Sequence, residues 1–245
     1  MRGPHNIIRL IRMGATLERT GGMNVVLDAF QAPASLRIVA KLLGWPFKWL
    51  GLKGDPEMPS AVRALVALGP AYIKFGQVLS TRPDVVGDEL AIQLRVLQDK
   101  LPPFSIEQAK AMVRTELERP VEEVFSTFSE PVAAASIAQV HKAHLAETGE
   151  AVAVKVLRPG IEKRFGKDID AFYFAARMVE IFAPGARRLR PREVIEHFEG
   201  VVRGELDFRL ESSAAGEFAA TTKNDQGFTV PQVKWEHSSR RVMTL

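Results

Sequence analysis

A lysine within an otherwise apolar segment has the clearest chemical potential in this sequence. Lys155 ends the run Val152-Ala-Val-Lys155, which the alternation of side chains predicts to be a β-strand. An unpaired ammonium group is costly to bury, so Lys155 needs an anionic partner, either a carboxylate or a phosphate. The alternative is an edge-strand lysine that points to water.

A loop of small residues, Ala133-Ala-Ala-Ser136, precedes this strand. Glycine-rich loops bind phosphates because their backbone approaches the ligand closely. Alanine allows a fairly close approach but disfavours positive φ, so we expect altered nucleotide handling. A phosphate-covering loop followed by a strand lysine is the arrangement that protein kinases use. The alternative is a small-residue turn between packed elements.

An acidic cluster, Glu205, Asp207 and Glu211, lies in a segment predicted to be one long helix from Pro191 to about Lys223. On a straight helix Asp207 and Glu211 share a face, and Glu205 points elsewhere. One acid could then pair with Lys155 while another meets a metal or a second lysine. The alternative for Glu205 is a surface ion pair with Arg209.

A second lysine motif, Lys74-Phe-Gly-Gln77, falls in a predicted apolar helix. Lys74 and Gln77 are three residues apart and face the same way, and Gly76 allows a close backbone approach. As an isolated pattern it equally fits a solvated helix face with one packed glycine.

The amino-acid composition excludes several classes of protein and kinds of site. The chain has 245 residues, of which 46% are hydrophobic and 25% charged, with a net charge of +4 and no cysteine. Disulfides and thiolate metal sites are therefore excluded. The basic residues are dispersed, which gives no support for nucleic-acid binding.

His141 and His144 fall on opposite faces of a predicted strand and make a poor metal pair. We found no signal-peptide pattern and no membrane-spanning run, so we expect a cytoplasmic protein.

The chain divides by character into three predicted segments, residues 1–57, 58–120 and 121–245. The first is basic and apolar, and the second reads as mainly helical, with a break at Gly69-Pro70 and a cap at Ser105. The third segment contains both predicted strands and predicted helices, which indicates an α+β fold. Its predicted strands are Ile137–Leu145, Ala151–Leu157, Phe228–Trp235 and Arg241–Leu245, and a helix is predicted over Pro159–Phe182.

The first segment contains a stretch that combines basic and aromatic residues. Between Leu36 and Leu52 lie three basic residues, two tryptophans, a phenylalanine and several leucines. This composition suits an anionic membrane surface, and a helix packed on the rest of the protein is the alternative. Gly44 and Pro46 interrupt any single helix there.

Taken in order, these motifs resemble the UbiB family of atypical, protein-kinase-like proteins from about Leu68 to Leu245. Lys74-Phe-Gly-Gln77 matches the family's KxGQ signature, and Ala133-Ala-Ala-Ser136 its alanine-rich loop. Val152-Ala-Val-Lys155 matches the kinase strand lysine. Glu205-Leu-Asp207 matches the ExD signature, and Glu211 falls at the family's helix glutamate. The expected fold is a protein-kinase-like small lobe, an antiparallel sheet with helices, preceded by a helical KxGQ extension.

The resemblance also implies roles. Lys155 would contact ATP phosphates and pair with Glu211, the catalytic pair, while Ala133, Ala134, Ala135 and Ser136 would cover the nucleotide. Lys74, Gly76 and Gln77 would form a regulatory helix that meets Glu205 and Asp207. The implied cofactor is ATP with Mg²⁺, and the implied role is support of ubiquinone biosynthesis at membranes.

We find no catalytic-loop acid, metal-binding DFG motif or large lobe in this sequence. The expectation is therefore a truncated or split product that is inactive alone, and its partners would include a separately encoded C-terminal half or ubiquinone-biosynthesis proteins. The alternative is a non-catalytic, pseudokinase-like scaffold that binds a membrane or a protein partner.

Overall fold

The computed structural model describes residues 5–29, 32–98, 103–182 and 184–245. The chain forms two compact units. Unit 1 contains residues 1–99 and 163–199, and unit 2 contains residues 100–162 and 200–245. The segment boundaries expected after residues 57 and 120 divide the chain by sequence character and stay predictions.

The described residues form twelve α-helices and four β-strands. The helices are α1 His5–Thr20, α2 Gly22–Ala29, α3 Ala34–Gly44, α4 Ser60–Leu68, α5 Pro70–Ser80, α6 Pro83–Val86, α7 Asp88–Leu94, α8 Ile106–Leu117, α9 Val121–Val124, α10 Ile161–Phe182, α11 Pro191–Glu205 and α12 Phe208–Thr221. The strands are β1 Phe125–Ala134, β2 Ala138–Leu145, β3 Ala151–Leu157 and β4 Val242–Thr244. Short 3-10 helices cover Trp45–Leu50, Arg95–Gln98, Pro184–Leu189 and Trp235–His237.

Unit 1 is helical and packs around a cluster of aromatic rings. Tyr72 meets Phe172 edge-on with 4.8 Å between ring centroids, and Phe75 contacts both Phe172 and Phe198. The predicted break between α4 and α5 is confirmed at Gly69, whose φ of 113° is accessible to glycine, and Pro70 begins α5. Within the described residues, no helix is both long enough and apolar enough to cross a bilayer.

Unit 2 is built on an antiparallel sheet with the strand order β1-β2-β3-β4. Val152, Val154 and Val156 of β3 are buried, as the alternation of its side chains predicts, and belong to a core that includes Val113 of α8. Ser105 caps α8 by accepting a hydrogen bond from the Gln108 N–H, which confirms the predicted cap. The α+β fold class is confirmed.

Two predicted elements were wrong, and one strand was not predicted. The segment Phe228–Trp235 is not a strand, because Pro231 has no N–H to donate and only Lys234 bonds the sheet, donating to Thr244 O. The helix predicted from Pro191 to Lys223 is two helices that part at Asp207. The strand β1 was not predicted, and Ala133 and Ala134, which were expected in the loop, are its last two residues. Its irregular register with β2 explains its weak alternation.

Candidate functional site

Lys155 lies on an interior strand, which excludes the edge-strand alternative. It faces Val140 of β2 on one side and Met243 of β4 on the other. Its face of β3 is nevertheless open, since Ala151 and Ala153 are exposed and 30% of the lysine side chain is accessible. Lys155 therefore lies on the partly open face of a strand whose valine face is buried.

Glu211 is the carboxylate that meets this lysine. Its two oxygens lie 2.6 and 2.7 Å from Lys155 Nζ, and the Phe208 ring centroid lies 4.9 Å from the same nitrogen. Because 47% of the Glu211 side chain is exposed, the ion pair contributes at most about 1 kcal/mol to folding. Its main effect is to hold the ammonium group in one place. The contact is the one that the family resemblance implied, and the catalytic role of the pair stays a prediction.

Asp207 has a different task from the one that helix geometry suggested. It is the N-cap of α12, in an extended conformation, and accepts a hydrogen bond from the Arg209 N–H at 3.1 Å. Arg209 also donates to both Asp207 oxygens, at 2.9 and 2.6 Å, and this bonding lowers the pKa of the carboxyl group. The prediction that Asp207 and Glu211 share a helix face is therefore wrong, because Asp207 lies outside the helix, in extended conformation, and α12 begins at Phe208. Glu205 is the last residue of α11 and is half-buried.

The alanine-rich loop lies at the turn between β1 and β2. Ala133 and Ala134 end β1, opposite Val140 and Gln139, and Ala135 donates its N–H to Ala138 O at 2.8 Å. Ser136 is buried in the bend. Within the described part of the chain, none of the four loop residues has a positive φ. The loop therefore turns without the backbone conformations that glycine would supply.

Arg158 is a residue of this site that the sequence reasoning missed. Its Nε and Nη2 donate to Ala135 O at 3.2 and 3.1 Å, and its guanidinium group lies 5.6 Å from the Phe104 ring centroid. Burial lowers the pKa of this guanidinium group. Gln139 bonds the backbone N–H and C=O of Phe104, at 2.9 and 3.2 Å. In the sequence, the feature that could have pointed to Arg158 is its position three residues after Lys155.

The second lysine motif lies in unit 1, on α5. Gln77 donates from Nε2 to Leu97 O at 2.7 Å, so it connects α5 to the 3-10 helix Arg95–Gln98. Gly76 is buried, and a Cβ there would overlap the side chains of Leu97 and Leu65. Lys74 is half-buried. Its contact with Glu205 and Asp207, which belong to unit 2, stays a prediction.

The two histidines of β2 lie on opposite faces, as the strand alternation predicts. His141 is fully buried, and His144 is exposed and bonds Thr127. In the part of the chain that the structure describes, no three His, Asp or Glu side chains are grouped so as to hold a metal ion.

Comparison with known proteins identifies the class to which this fold and lysine site belong. The family defined as "ABC1 atypical kinase-like domain" matches residues 96–245. The chain therefore belongs to the ABC1 atypical kinase-like family, and its helices and antiparallel four-stranded sheet are consistent with a kinase-like small lobe.

Curated relatives make the assignment narrower. The chain is 38% identical over 241 residues to a protein of Azotobacter vinelandii, and 36% identical over 227 residues to one of Marinobacter nauticus. Both are described as "Probable protein kinase UbiB", which confirms the resemblance to the UbiB family. The matches cover 97% and 91% of this chain but 44% and 40% of those relatives. The chain thus spans less than half the length of the relatives that it matches.

A solved structure supports the fold. The Mycobacterium tuberculosis protein Rv3197, solved as a complex with erythromycin, is 27% identical and superimposes with a TM-score of 0.50. The similarity covers 86% of this chain and 50% of that one.

Proposed function

We propose that this chain provides the nucleotide-binding small lobe of a UbiB-type atypical kinase or ATPase. The observation that carries the proposal is the Lys155–Glu211 pair, held on an open sheet face beside the alanine-rich loop. In kinases the equivalent lysine and glutamate must be in place for phosphate binding. Here Glu211 orients the ammonium group, and Lys155 would bind the ATP phosphates from it.

The alanine-rich loop, held by Arg158, would position the nucleotide from the side opposite Lys155. Ala133, Ala134, Ala135 and Ser136 would cover the phosphates, and Arg158 fixes the turn through Ala135 O. ATP would supply the phosphoryl group. The described residues offer no cluster of metal ligands, so the proposal assigns no ligand to Mg²⁺ and no step to it.

The biological role follows from the relatives. The description of these relatives as "Probable protein kinase UbiB" supports phosphoryl transfer as the activity of the complete protein. We propose that this activity serves ubiquinone biosynthesis in the cytoplasm, at the inner face of a membrane. We expect residues 1–245 alone to bind ATP without turning it over.

Calorimetric titration of the chain with Mg-ATP tests the nucleotide site. Replacing the lysine in Lys155→Ala removes the cation that faces the phosphates, so we expect the affinity to fall at least about tenfold, a typical loss for a charged hydrogen bond. Lys223→Ala, which removes an exposed lysine beyond the end of α12, is the matched control and should bind like the unaltered chain.

Equal binding by the unaltered chain and Lys155→Ala would contradict the role assigned to this lysine. If the unaltered chain bound no Mg-ATP, the second candidate would be favoured. That candidate is a non-catalytic scaffold that binds a protein partner. The observation that supports this candidate is the set of large apolar side chains that are exposed on unit 2, among them Leu210, Phe218, Phe228 and Trp235.

A further inference from the structure

Unit 1 carries an exposed apolar surface that the nucleotide site does not use. Ile38 and Leu42 lie on α3, and Trp45 and Trp49 lie on the 3-10 helix that follows it. All four are exposed, and 73% of each tryptophan is accessible. We call these four residues the tryptophan face. The segment is kinked at Phe47, where φ is −107° and ψ is 15°, and it exposes large apolar side chains both before and after the kink.

The backbone beneath this face is firmly attached to α1. Arg19 donates from Nη1 to Gly51 O at 2.8 Å and to Trp49 O at 3.4 Å. The Leu52 N–H donates to the buried hydroxyl of Thr16 at 3.1 Å. The exposure of the tryptophans is therefore a property of a fixed segment rather than of a loose end.

Two glycines allow the segment to lie close to α1. A Cβ at Gly51 would overlap the Ala15 carbonyl group, and one at Gly44 would overlap Glu18 and approach Gly14 O. The segment packs on its glycines and presents its largest side chains outwards, which is the reverse of ordinary apolar packing.

The chain segment that carries the face is basic. Residues 34–53 contain four basic side chains and no acidic one. Arg37 is paired with Asp28 at 2.7 Å, and the other three, Lys41, Lys48 and Lys53, are exposed. Tryptophan beside lysine is the composition that a lipid headgroup region favours, because the indole ring enters the interface while the ammonium groups meet anionic headgroups.

We propose that the tryptophan face docks on the surface of an anionic lipid bilayer. The chemistry favours a bilayer over a protein partner, because the two exposed tryptophans and the three exposed lysines fit a fluid anionic interface without a complementary pocket. The inference rests on unit 1 and does not depend on nucleotide binding by Lys155.

Vesicle titration with tryptophan fluorescence tests the proposal, since the chain has only three tryptophans. In the full-length variant Trp235→Phe, only Trp45 and Trp49 report. We expect their emission to shift to the blue, and brominated lipids to quench it, on adding phosphatidylcholine vesicles that contain phosphatidylglycerol. Vesicles of phosphatidylcholine alone should bind more weakly, because the lysines then lack anionic headgroups.

The double variant Trp45→Phe/Trp49→Phe retains Trp235 as its only reporter and is the matched control. Its emission should stay unchanged when the same vesicles are added. A blue shift and quenching of Trp235 instead of the other two would overturn the proposal, as would a blue shift that appears without lipid as protein concentration rises, which indicates self-association.

Cosedimentation with the same vesicles tests the charged rim separately and needs no tryptophan substitution. In Lys41→Glu/Lys48→Glu we expect the partition onto anionic vesicles to fall at least about tenfold. Lys142→Glu/Lys163→Glu makes the same charge change at two exposed positions elsewhere and should bind like the unaltered chain. Equal losses in both variants would show a response to net charge alone and would refute this surface as the docking site.

Discussion

At the scale of single residues, the buried histidine of β2 shows how burial and hydrogen bonding fix a protonation state. His141 Nδ1 lies 2.7 Å from Ser129 O, and its Nε2 lies 2.9 Å from Gln139 Nε2. The first contact requires a proton on Nδ1, which leaves Nε2 to accept from the glutamine amide. Burial lowers the pKa of His141, against the opposing influence of Ser129 O and Glu130.

This lowered pKa predicts a pH-dependent stability. Below the ordinary histidine pKa of 6.5 the unfolded chain binds a proton at His141 that the folded chain does not, so the free energy of unfolding falls as the pH falls below this value. Urea unfolding between about pH 7.5 and pH 5.5 should therefore show a shallower pH dependence in His141→Gln than in the unaltered chain. His144→Gln, at the exposed histidine, should retain the original dependence. An unchanged slope in His141→Gln would contradict the prediction.

At the scale of elements, α5 depends on a glycine for its packing. A Cβ at Gly76 would overlap Leu97 and Leu65, whereas a Cβ at Gly166 on α10 would meet open space. Both glycines lie in helices of unit 1, so replacing either by alanine changes helix propensity in the same direction. Only at Gly76 does the added methyl group also meet close neighbours, so comparing the two variants distinguishes the packing effect from the propensity effect.

We expect Gly76→Ala to lower the free energy of unfolding by about 1–3 kcal/mol, because the overpacked leucines must move. Gly166→Ala should leave stability unchanged or raise it by up to about 1 kcal/mol, since alanine is the better helix former. Urea denaturation of both variants provides the measurement. Equal effects of the two substitutions would mean that helix propensity, and not the close approach at Gly76, dominates.

At the scale of the whole molecule, the chain matches less than half the length of its curated relatives. It spans 44% of the Azotobacter vinelandii relative and 40% of the Marinobacter nauticus relative. Phosphoryl transfer requires metal ligands and a positioned nucleophile in addition to a phosphate-binding lysine. Among the described residues, Lys155 is the candidate for the phosphate-binding lysine, and no group of three or more metal-ligating side chains is found.

Phosphate release from Mg-ATP should therefore stay at the background rate when residues 1–245 are assayed alone, even where calorimetry detects binding. A coupled assay run with the unaltered chain and with Lys155→Ala provides the comparison, and the two should give the same rate. Sustained release that Lys155→Ala abolishes would show that these residues already contain a working active site.

The sequence by itself determined the features that depend on near neighbours. The alternation of Val152, Val154 and Val156 predicted β3 and its buried face, and the Gly69-Pro70 pair predicted the break between α4 and α5. Ser105 predicted the start of α8. Each of these signals acts within a few residues, because strand pleating, helix capping and backbone conformation are local.

Only the tertiary structure decided the features that join distant residues. Lys155 and Glu211 are 56 residues apart, and no local pattern fixes which carboxylate of the acidic cluster meets the lysine. The same holds for Arg158 and Ala135 O, which are 23 residues apart. Asp207 was misjudged because its extended backbone interrupts the helical run that the periodicity alone predicts, and its side chain caps the start of a new helix. Such contacts depend on how the chain folds back on itself, which spacing along the sequence does not encode.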